Sequence, residues 1–132
     1  MATKPENVFI NSIKRNLPSS VYSMKNNNPF TAGIADVWYS SVGGDMWVEY
    51  KWLHKRPTNS FVPALTPLQV KWLRDRHTEG RRVYVVVGCP DGAVVLKNLE
   101  WESACTFDVI YSRKEVASWI EKETTICRLS AA

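Results

Sequence analysis

Residues 82–87 (RVYVVV) form a nearly continuous apolar run, and this run limits the possible folds more than any other segment. Strands with one solvated face alternate apolar and polar residues, whereas a continuous apolar run is typical of a strand buried on both faces. The turn residues Asp91-Gly92 lead into a second such run at residues 93–96. A sheet buried on both faces needs a helical layer on each side, so we expect an α/β architecture.

Three segments carry helix signals. Residues 5–17 have apolar side chains at helical spacing and stop before a proline, which predicts an amphipathic helix. Thr66 and Gln69 have the spacing of a capping box, and the helix that they open should run to about Thr78. A similar box at residues 112–115 should open a terminal helix with one apolar side.

Strand signals lie between these helices. Residues 21–24 are a short strand candidate, and residues 26–29 have turn chemistry. Two further runs, 35–39 and 46–52, are separated by the sequence SVGG, which predicts a β-hairpin. The predicted order is helix, strand, hairpin of two strands, helix, strand, strand, helix, which corresponds to a central mixed sheet flanked by helices. The polar segment 54–64, which contains two prolines, should be an exposed and mobile loop.

Length and composition favour one folded domain. The chain has 132 residues, 45% of them hydrophobic and 23% charged, which suits a single core. We therefore expect one domain over residues 1–132, with a core at about 5–98 and a C-terminal helical extension at about 112–124. No apolar run approaches the ~20 residues of a membrane helix, and no signal-peptide stretch is present, so we expect no membrane association and a cytoplasmic location.

The sequence lacks the patterns of several common classes of site. The three cysteines, Cys89, Cys105 and Cys127, are widely spaced and form no zinc pattern with His54 and His77. We expect reduced thiols and assign neither histidine a role. No Walker motif or dinucleotide fingerprint occurs, so we expect no nucleotide cofactor.

The predicted hairpin brings two acidic residues together. If it turns about the Val42-Gly43 bond, antiparallel pairing matches residues whose numbers sum to 85, and Asp36 faces Glu49. Their Cβ atoms would then lie about 5 Å apart on one face. Lys51 shares that face with Glu49, because side chains two residues apart in a strand point the same way.

Two carboxylates held opposite each other need compensation, either from a shared proton or from a bound cation. Mg²⁺ suits such a pair because it takes one or two carboxylates, keeps several waters and accepts phosphate oxygens. Lys51 would then lie beside a metal-bound water and a phosphate, where it can orient the nucleophile and stabilise negative charge.

The run Gly33-Ile34-Ala35-Asp36, followed after twelve residues by Glu49-Tyr50-Lys51, resembles the G-x-P-D…E-x-K pattern of PD-(D/E)XK nucleases. The chain departs from that pattern at Ala35, where the family often has proline. Residues 65–69 and 83–88, with the residues between them, resemble the helix and strand that follow the lysine in VRR-NUC domains and related Holliday-junction resolvases. The resemblance covers roughly residues 6–87.

This resemblance implies a restriction-endonuclease-like core and an Mg²⁺-dependent endonuclease acting on DNA, with Mn²⁺ as a possible substitute. It implies a metal held by Asp36, Glu49, the Tyr50 carbonyl and Glu6, with catalytic roles for Lys51, Gln69 and the two carboxylates. It further implies branched, flap or junction DNA as substrate, a homodimer, and a phage-encoded protein in the host cytoplasm.

Other readings of the same residues stay open at this point. The Asp36, Glu49 and Lys51 group is alternatively a cross-strand charge cluster at the surface, and Glu6 an acid that favours a helix N-terminus. Gln69 is alternatively only a cap.

The basic residues allow two readings. The net charge of +4 and pI near 9.1 are mild. We expect Lys55, Arg56, Lys71 and Arg74 to contact phosphates, although scattered cations are usually a solvated surface. The wider predicted patch adds Arg76, Arg81 and Arg82. The six tryptophans can stack on unpaired bases or fill the core.

Two rival functions remain. A non-catalytic nucleic-acid-binding module on the same fold would keep its binding without Asp36. An assembly or inhibitor protein with exposed aromatic residues would show neither metal binding nor salt-dependent DNA affinity.

Overall fold

The computed structural model describes residues 4–27 and 32–126, so part of the predicted turn at 26–29 and Cys127 lie outside the described residues. Within these ranges the helices and strands follow the predicted order, and one short 3-10 helix is added to it. The elements are α1 (Pro5–Arg15), β1 (Tyr22–Lys25), β2 (Val37–Ser41), β3 (Gly44–Trp52), α2 (Pro67–Thr78), β4 (Val83–Cys89), β5 (Gly92–Leu96), the 3-10 helix (Glu100–Glu102) and α3 (Arg113–Thr125).

The five strands form one mixed sheet in the order β1-β2-β3-β4-β5. Neighbouring strands are antiparallel except for β3 and β4, which are parallel. In the β2–β3 hairpin Val37 lies opposite Val48 and Ser41 opposite Gly44, which is the predicted register. The hairpin therefore turns at Val42 and Gly43, as expected.

Strand β4 is buried along its whole length, which confirms the interpretation of the apolar run. One core cluster lies on the sheet face covered by α1 and α3 and includes Phe9, Ile13, Tyr50 and Ile120. The other lies on the α2 face and includes Leu73, Val85, Trp101 and Phe107. Both clusters draw on β4, whose alternate side chains enter opposite layers.

The segment between β3 and α2 is mostly exposed, as predicted, but backbone hydrogen bonds tie it to the fold at Phe61. Phe61 and Cys105 exchange backbone hydrogen bonds of 2.8 and 2.7 Å. The Phe61 ring also packs against that of Phe107, at 5.9 Å between centroids. The loop therefore covers part of the second core cluster.

Helix α3 is an integral layer of the core and not an extension added to it. It packs against α1, β2, β3 and β5, and Val116, Ala117, Trp119 and Ile120 are buried there. The predicted capping box is present, with the Ser112 side chain accepting from the Glu115 amide. The expected core at 5–98 was too short because a single amphipathic helix does not reveal what it packs against.

No helix within the described residues is both long and apolar enough to cross a bilayer. The buried Cys89 and Cys105 are free thiols, as expected.

Because Ile120 is fully buried beneath the sheet, Ile120→Ala should lower the free energy of unfolding by about 2–5 kcal/mol. Val109 is 73% exposed, so Val109→Ala should change it by less than about 0.5 kcal/mol. Urea unfolding followed by circular dichroism measures both variants. Equal small changes would mean that α3 is peripheral to the cooperative core.

Candidate active site

Asp36 lies immediately before β2, at the point where pairing with β3 ends. Its Oδ2 accepts a 2.9 Å hydrogen bond from the Tyr50 amide, and its carbonyl accepts one of 2.7 Å from Asn26. In a strand the N–H and C=O of one residue point to the same neighbour. The Tyr50 carbonyl therefore points to the side on which Asp36 lies.

The Tyr50 side chain takes no part in this site. It is fully buried in the opposite core layer, where its hydroxyl lies 2.6 Å from that of Tyr39. Of this residue, only the backbone carbonyl is available as the predicted ligand.

Gly33 allows the loop before Asp36 to approach α2. Its φ is 91°, in the left-handed region that favours glycine. A Cβ at this position would lie 2.7 Å from the carbonyl oxygen of Leu68, in the first turn of α2. The glycine of the motif therefore brings the Asp36 loop against the helix that carries Gln69.

Glu49 is 2% exposed and lies on the sheet face that also carries Lys51. Its Oε2 accepts a 3.2 Å hydrogen bond from Gln69 Nε2 and lies 3.6 Å from Lys51 Nζ. Its Oε1 is buried and accepts no hydrogen bond, and the carboxyl group adjoins the Asp36 side chain, with which it can share a hydrogen bond when protonated. A buried carboxylate oxygen that accepts no hydrogen bond is costly and requires an explanation.

Burial raises the pKa of Glu49 to about 9, and the nearby Asp36 carboxylate adds to the increase. Lys51 opposes it, but its ammonium is 22% exposed and at 3.6 Å offsets only part of the burial. The carboxyl group is therefore protonated near neutral pH unless a cation takes the place of the proton.

Gln69 serves as a helix cap and as a site residue at once. Its Oε1 accepts a 2.9 Å hydrogen bond from the Thr66 amide, and Thr66 Oγ1 accepts one of 3.1 Å from the Gln69 amide. These two bonds complete the predicted capping box. The same Oε1 accepts 3.3 Å from Lys51 Nζ, while Nε2 donates to Glu49. The carboxamide thus links the helix start to the acid and the amine.

Glu6 lies at the edge of this cluster. It is half-buried, and burial raises its pKa, followed by the charge of Asp36, while Lys51, Lys25 and Lys4 lower it. Lys25 and Lys4 were not predicted. The signal for Lys25 was available: it directly precedes the predicted turn at 26–29, across from the start of β2.

The predicted basic patch divides into separate groups. Lys55 and Arg56 follow β3 at the end where Lys51 lies, and they line a cavity of about 600 Å³ with Thr106 and Phe107. Asp36, Glu49 and Lys51 do not line that cavity. Arg56 donates 2.7 Å to the Phe107 carbonyl, an anchoring contact that the sequence did not reveal.

Two cations of α2 are paired with acids. Lys71 donates 2.6 Å to Asp75, and Arg74 donates to Glu102. Both pairs are surface ion pairs, which contribute little to stability and leave the cations accessible.

The remaining three arginines of the predicted patch do not flank the carboxylates. Arg76, Arg81 and Arg82 lie near the start of β4, where Val83 pairs with Trp47. Lys51 pairs with Val87, four residues farther along, or about 13 Å at the usual strand rise. The predicted basic patch therefore does not form one surface, because the sequence does not reveal the register of β4.

The donor set of the site is compatible with a divalent cation. Asp36 and Glu49 supply carboxylates, the Tyr50 carbonyl faces the same side, and the buried Glu49 Oε1 accepts no hydrogen bond. In residues 4–27 and 32–126, no three His, Cys, Asp or Glu side chains converge to hold a metal by themselves. Mg²⁺ does not need three, because water and phosphate oxygens complete its coordination.

Replacing the buried acid should have a pH-dependent effect on stability. The folded-state pKa of Glu49 is raised from 4.5 to about 9, so the folded protein binds a proton that the unfolded chain releases between these values. Wild-type stability should therefore fall as pH rises from about 5 to 9. Glu49→Gln lacks this loss, so the unfolding free energy of the variant should increase relative to that of wild type as pH rises from 5 to 9.

Urea unfolding in EDTA at pH 5, 7 and 9 tests this. Glu121→Gln, at an exposed position on α3, is the matched control and should follow wild type at each pH. A difference between Glu49→Gln and wild type that stays constant across the window would contradict the raised pKa.

Gly33→Ala should lower the free energy of unfolding more than Gly80→Ala does. Both glycines have positive φ, 91° and 83°, so both substitutions carry the left-handed penalty of about 1–2 kcal/mol. Only the methyl group added at Gly33 would also meet the Leu68 carbonyl, because nothing lies within 4 Å of the Cβ position at Gly80. Denaturant midpoints measure the difference, and equal losses would show that the close approach to α2 is unimportant.

The chain matches no protein-family model and no curated protein sequence. Among solved structures, its fold is similar to that of Hjc, a Holliday junction resolvase from the archaeal hyperthermophile Archaeoglobus fulgidus. The two are 14% identical, with a TM-score of 0.54 over 89% of this chain and 99% of the other. Similarity at this identity shows the fold alone. The chain thus has the expected restriction-endonuclease-like fold, and its described residues form a mixed five-stranded sheet with three α-helices.

Proposed function

We propose that this chain is a metal-dependent nuclease that hydrolyses phosphodiester bonds in DNA. The observation that carries the proposal is the pair of adjoining acids Glu49 and Asp36 beside Lys51, with Glu49 buried and its Oε1 accepting no hydrogen bond. Buried polar groups are nearly always satisfied, so a buried acid with such an oxygen next to a second acid supports a ligand site. The similarity of the fold to that of a resolvase agrees with this chemistry.

Asp36, Glu49 and the Tyr50 carbonyl are the proposed ligands of Mg²⁺, for which Mn²⁺ can substitute. Glu6, whose charge acts on both Asp36 and Glu49, is proposed as a further ligand. When bound, the cation supplies charge neutralisation at the phosphate and favours ionisation of the attacking water.

Lys51 is the proposed catalytic amine. Its Nζ lies 3.6 Å from Glu49 Oε2 and is partly exposed, so it faces both the acid and the entering phosphate. From this position it stabilises negative charge that develops on the phosphate and orients the water. Gln69 fixes the direction of the Lys51 and Glu49 side chains through one carboxamide.

The proposed DNA contacts begin with Lys55 and Arg56, which lie at the Lys51 end of β3. Lys71 and Arg74 are proposed to contribute to a lesser extent, because each also holds a carboxylate. By analogy with the fold relative, we propose branched, flap or junction DNA as substrate and a homodimer as the active form. The analogy is one of fold.

Cleavage of labelled single-stranded, duplex, flap and four-way-junction DNA with Mg²⁺, Mn²⁺ or EDTA tests the proposal. Wild type should cut at least one substrate in Mg²⁺ or Mn²⁺ and none in EDTA. Asp36→Asn should fall to the EDTA level because a metal ligand is lost. Lys51→Ala should be slower by about 10²–10³-fold, the size expected for loss of one charge-stabilising group.

Glu121→Gln and Lys122→Ala remove one negative and one positive charge at exposed positions of α3, on the opposite face of the sheet, and should cut like wild type. If wild type binds these DNAs without cutting any, and Asp36→Asn binds equally well, the chain is a binding module. Cutting that persists in Asp36→Asn would assign the activity to other residues.

A further inference from the structure

A row of aromatic side chains crosses the sheet beside the carboxylates. The centroids of Tyr22 and Trp38 lie 5.9 Å apart, and those of Trp47 and Trp72 lie 5.4 Å apart. Trp38 and Trp47 are direct cross-strand partners, so the two ring pairs lie side by side on one face of the sheet. We call Tyr22, Trp38, Trp47 and Trp72 the aromatic row.

The row lies on the same face as the candidate active site. Trp38 follows Asp36 by two residues, and Trp47 precedes Glu49 by two, so each shares the face of its acid. Two residues of strand span about 7 Å. The row therefore runs parallel to the pair of carboxylates, one step along the strands.

The β1 end of the row is open to solvent. Helices α1 and α3 cover the opposite face, and α2 packs on β4. Tyr22 is 59% exposed, and Met24, which shares its face, is 44% exposed. Trp38 is half-buried. Large apolar groups at a surface beside a polar site are typical of a binding surface.

Trp38 is held in a fixed orientation before any partner arrives. Its indole N–H donates 2.9 Å to Asp45 Oδ2, and the Tyr22 ring meets it edge to face, with 69° between the ring planes. A ring that is already fixed loses little conformational entropy on binding.

Cations stand at both ends of this surface. Lys51, Lys55 and Arg56 lie past the carboxylates, while Arg76 and Arg81 lie past the row. Arg76 also stacks on Trp72, with its guanidinium carbon 5.6 Å from the ring centroid. Along this surface the groups follow the order cations, acid pair, aromatic row and cations. An extended DNA strand could place phosphates at the cations and bases at the aromatic row.

We propose that Tyr22 and Trp38 stack against unpaired bases of the DNA strand whose phosphate lies over Asp36 and Glu49. The inference rests on the proposed nuclease function and narrows its substrate to DNA with a single-stranded segment beside the cleaved bond. Stacking explains the use of rings, because every base has a π-face while bases in a duplex are already stacked. Charge complementarity favours DNA over a second copy of this chain, which would bring its own cations to the same surface.

Binding in EDTA separates stacking from cleavage. Fluorescence anisotropy with a labelled 12-nucleotide single strand, a blunt duplex and a flap duplex compares wild type with Tyr22→Leu and Trp38→Leu. Each variant keeps apolar bulk and loses a ring. The Kd for the single strand and the flap should rise about tenfold, within the range for one stacked base, while the Kd for blunt duplex should change less than twofold.

Val42→Ala, at a 92% exposed position in the β2–β3 turn, is the control for loss of exposed apolar surface and should bind like wild type. Trp38→Tyr should recover most of the single-strand affinity. Because Tyr22 is mostly exposed, Tyr22→Leu tests base stacking even if Trp38→Leu is unstable.

Three results would overturn the stacking proposal. They are no binding of the single strand by wild type, equal losses of affinity for single strand and duplex in the ring variants, or a wild-type dimer that light scattering shows to dissociate in Tyr22→Leu. The last result would assign the surface to a second copy. If wild type binds the single strand through these rings but cuts no DNA, the nuclease proposal fails and the stacking proposal stands. If wild type cuts DNA with metal and both ring variants keep the wild-type affinity, only the stacking proposal fails.

Discussion

The parallel pairing of β3 with β4 is the constraint on which the arrangement of this molecule depends. Parallel neighbours cannot be joined by a tight turn, so the chain must leave the end of β3, cross one face and return to the start of β4. The return path is α2, and its first turn lies beside the end of β3 that carries Lys51. The crossover therefore brings Gln69 to Glu49 and Lys51, which are 18 or more residues away in sequence.

The same arrangement makes the site electrostatically expensive. Glu49 sits in the sheet interior, opposite a second acid, and one of its oxygens accepts no hydrogen bond. The fold keeps the two acids together, because β3 pairs with β4 through Glu49 and the Tyr50 amide donates a hydrogen bond to Asp36 just past the end of the β2 pairing. The surrounding core, including the fully buried β4, supplies the stability that keeps an unfavourable acid in position. Local features that reduce stability in an otherwise well-packed domain are typical of functional sites.

Local features of the sequence predicted much of this structure. The two capping boxes, at Thr66 and Ser112, located the starts of α2 and α3, because caps depend on residues three apart. The glycine-containing turn determined the hairpin register, and the period of two then placed Glu49 and Lys51 on one face. The dual role of Gln69 was only partly predicted, since a cap is local whereas its contact with Glu49 is not.

By itself, the sequence determined the elements, the hairpin register and the shared face of Glu49 and Lys51, because each follows from hydrogen bonding or alternation within a few residues. Only the tertiary structure decided the burial of Glu49, the close approach of Gly33 to α2, the division of the basic residues and the inclusion of α3 in the core. These features depend on which segments pack against each other across long stretches of chain. Packing of that kind is set by the summed burial of the whole core and leaves no short pattern in the residues involved.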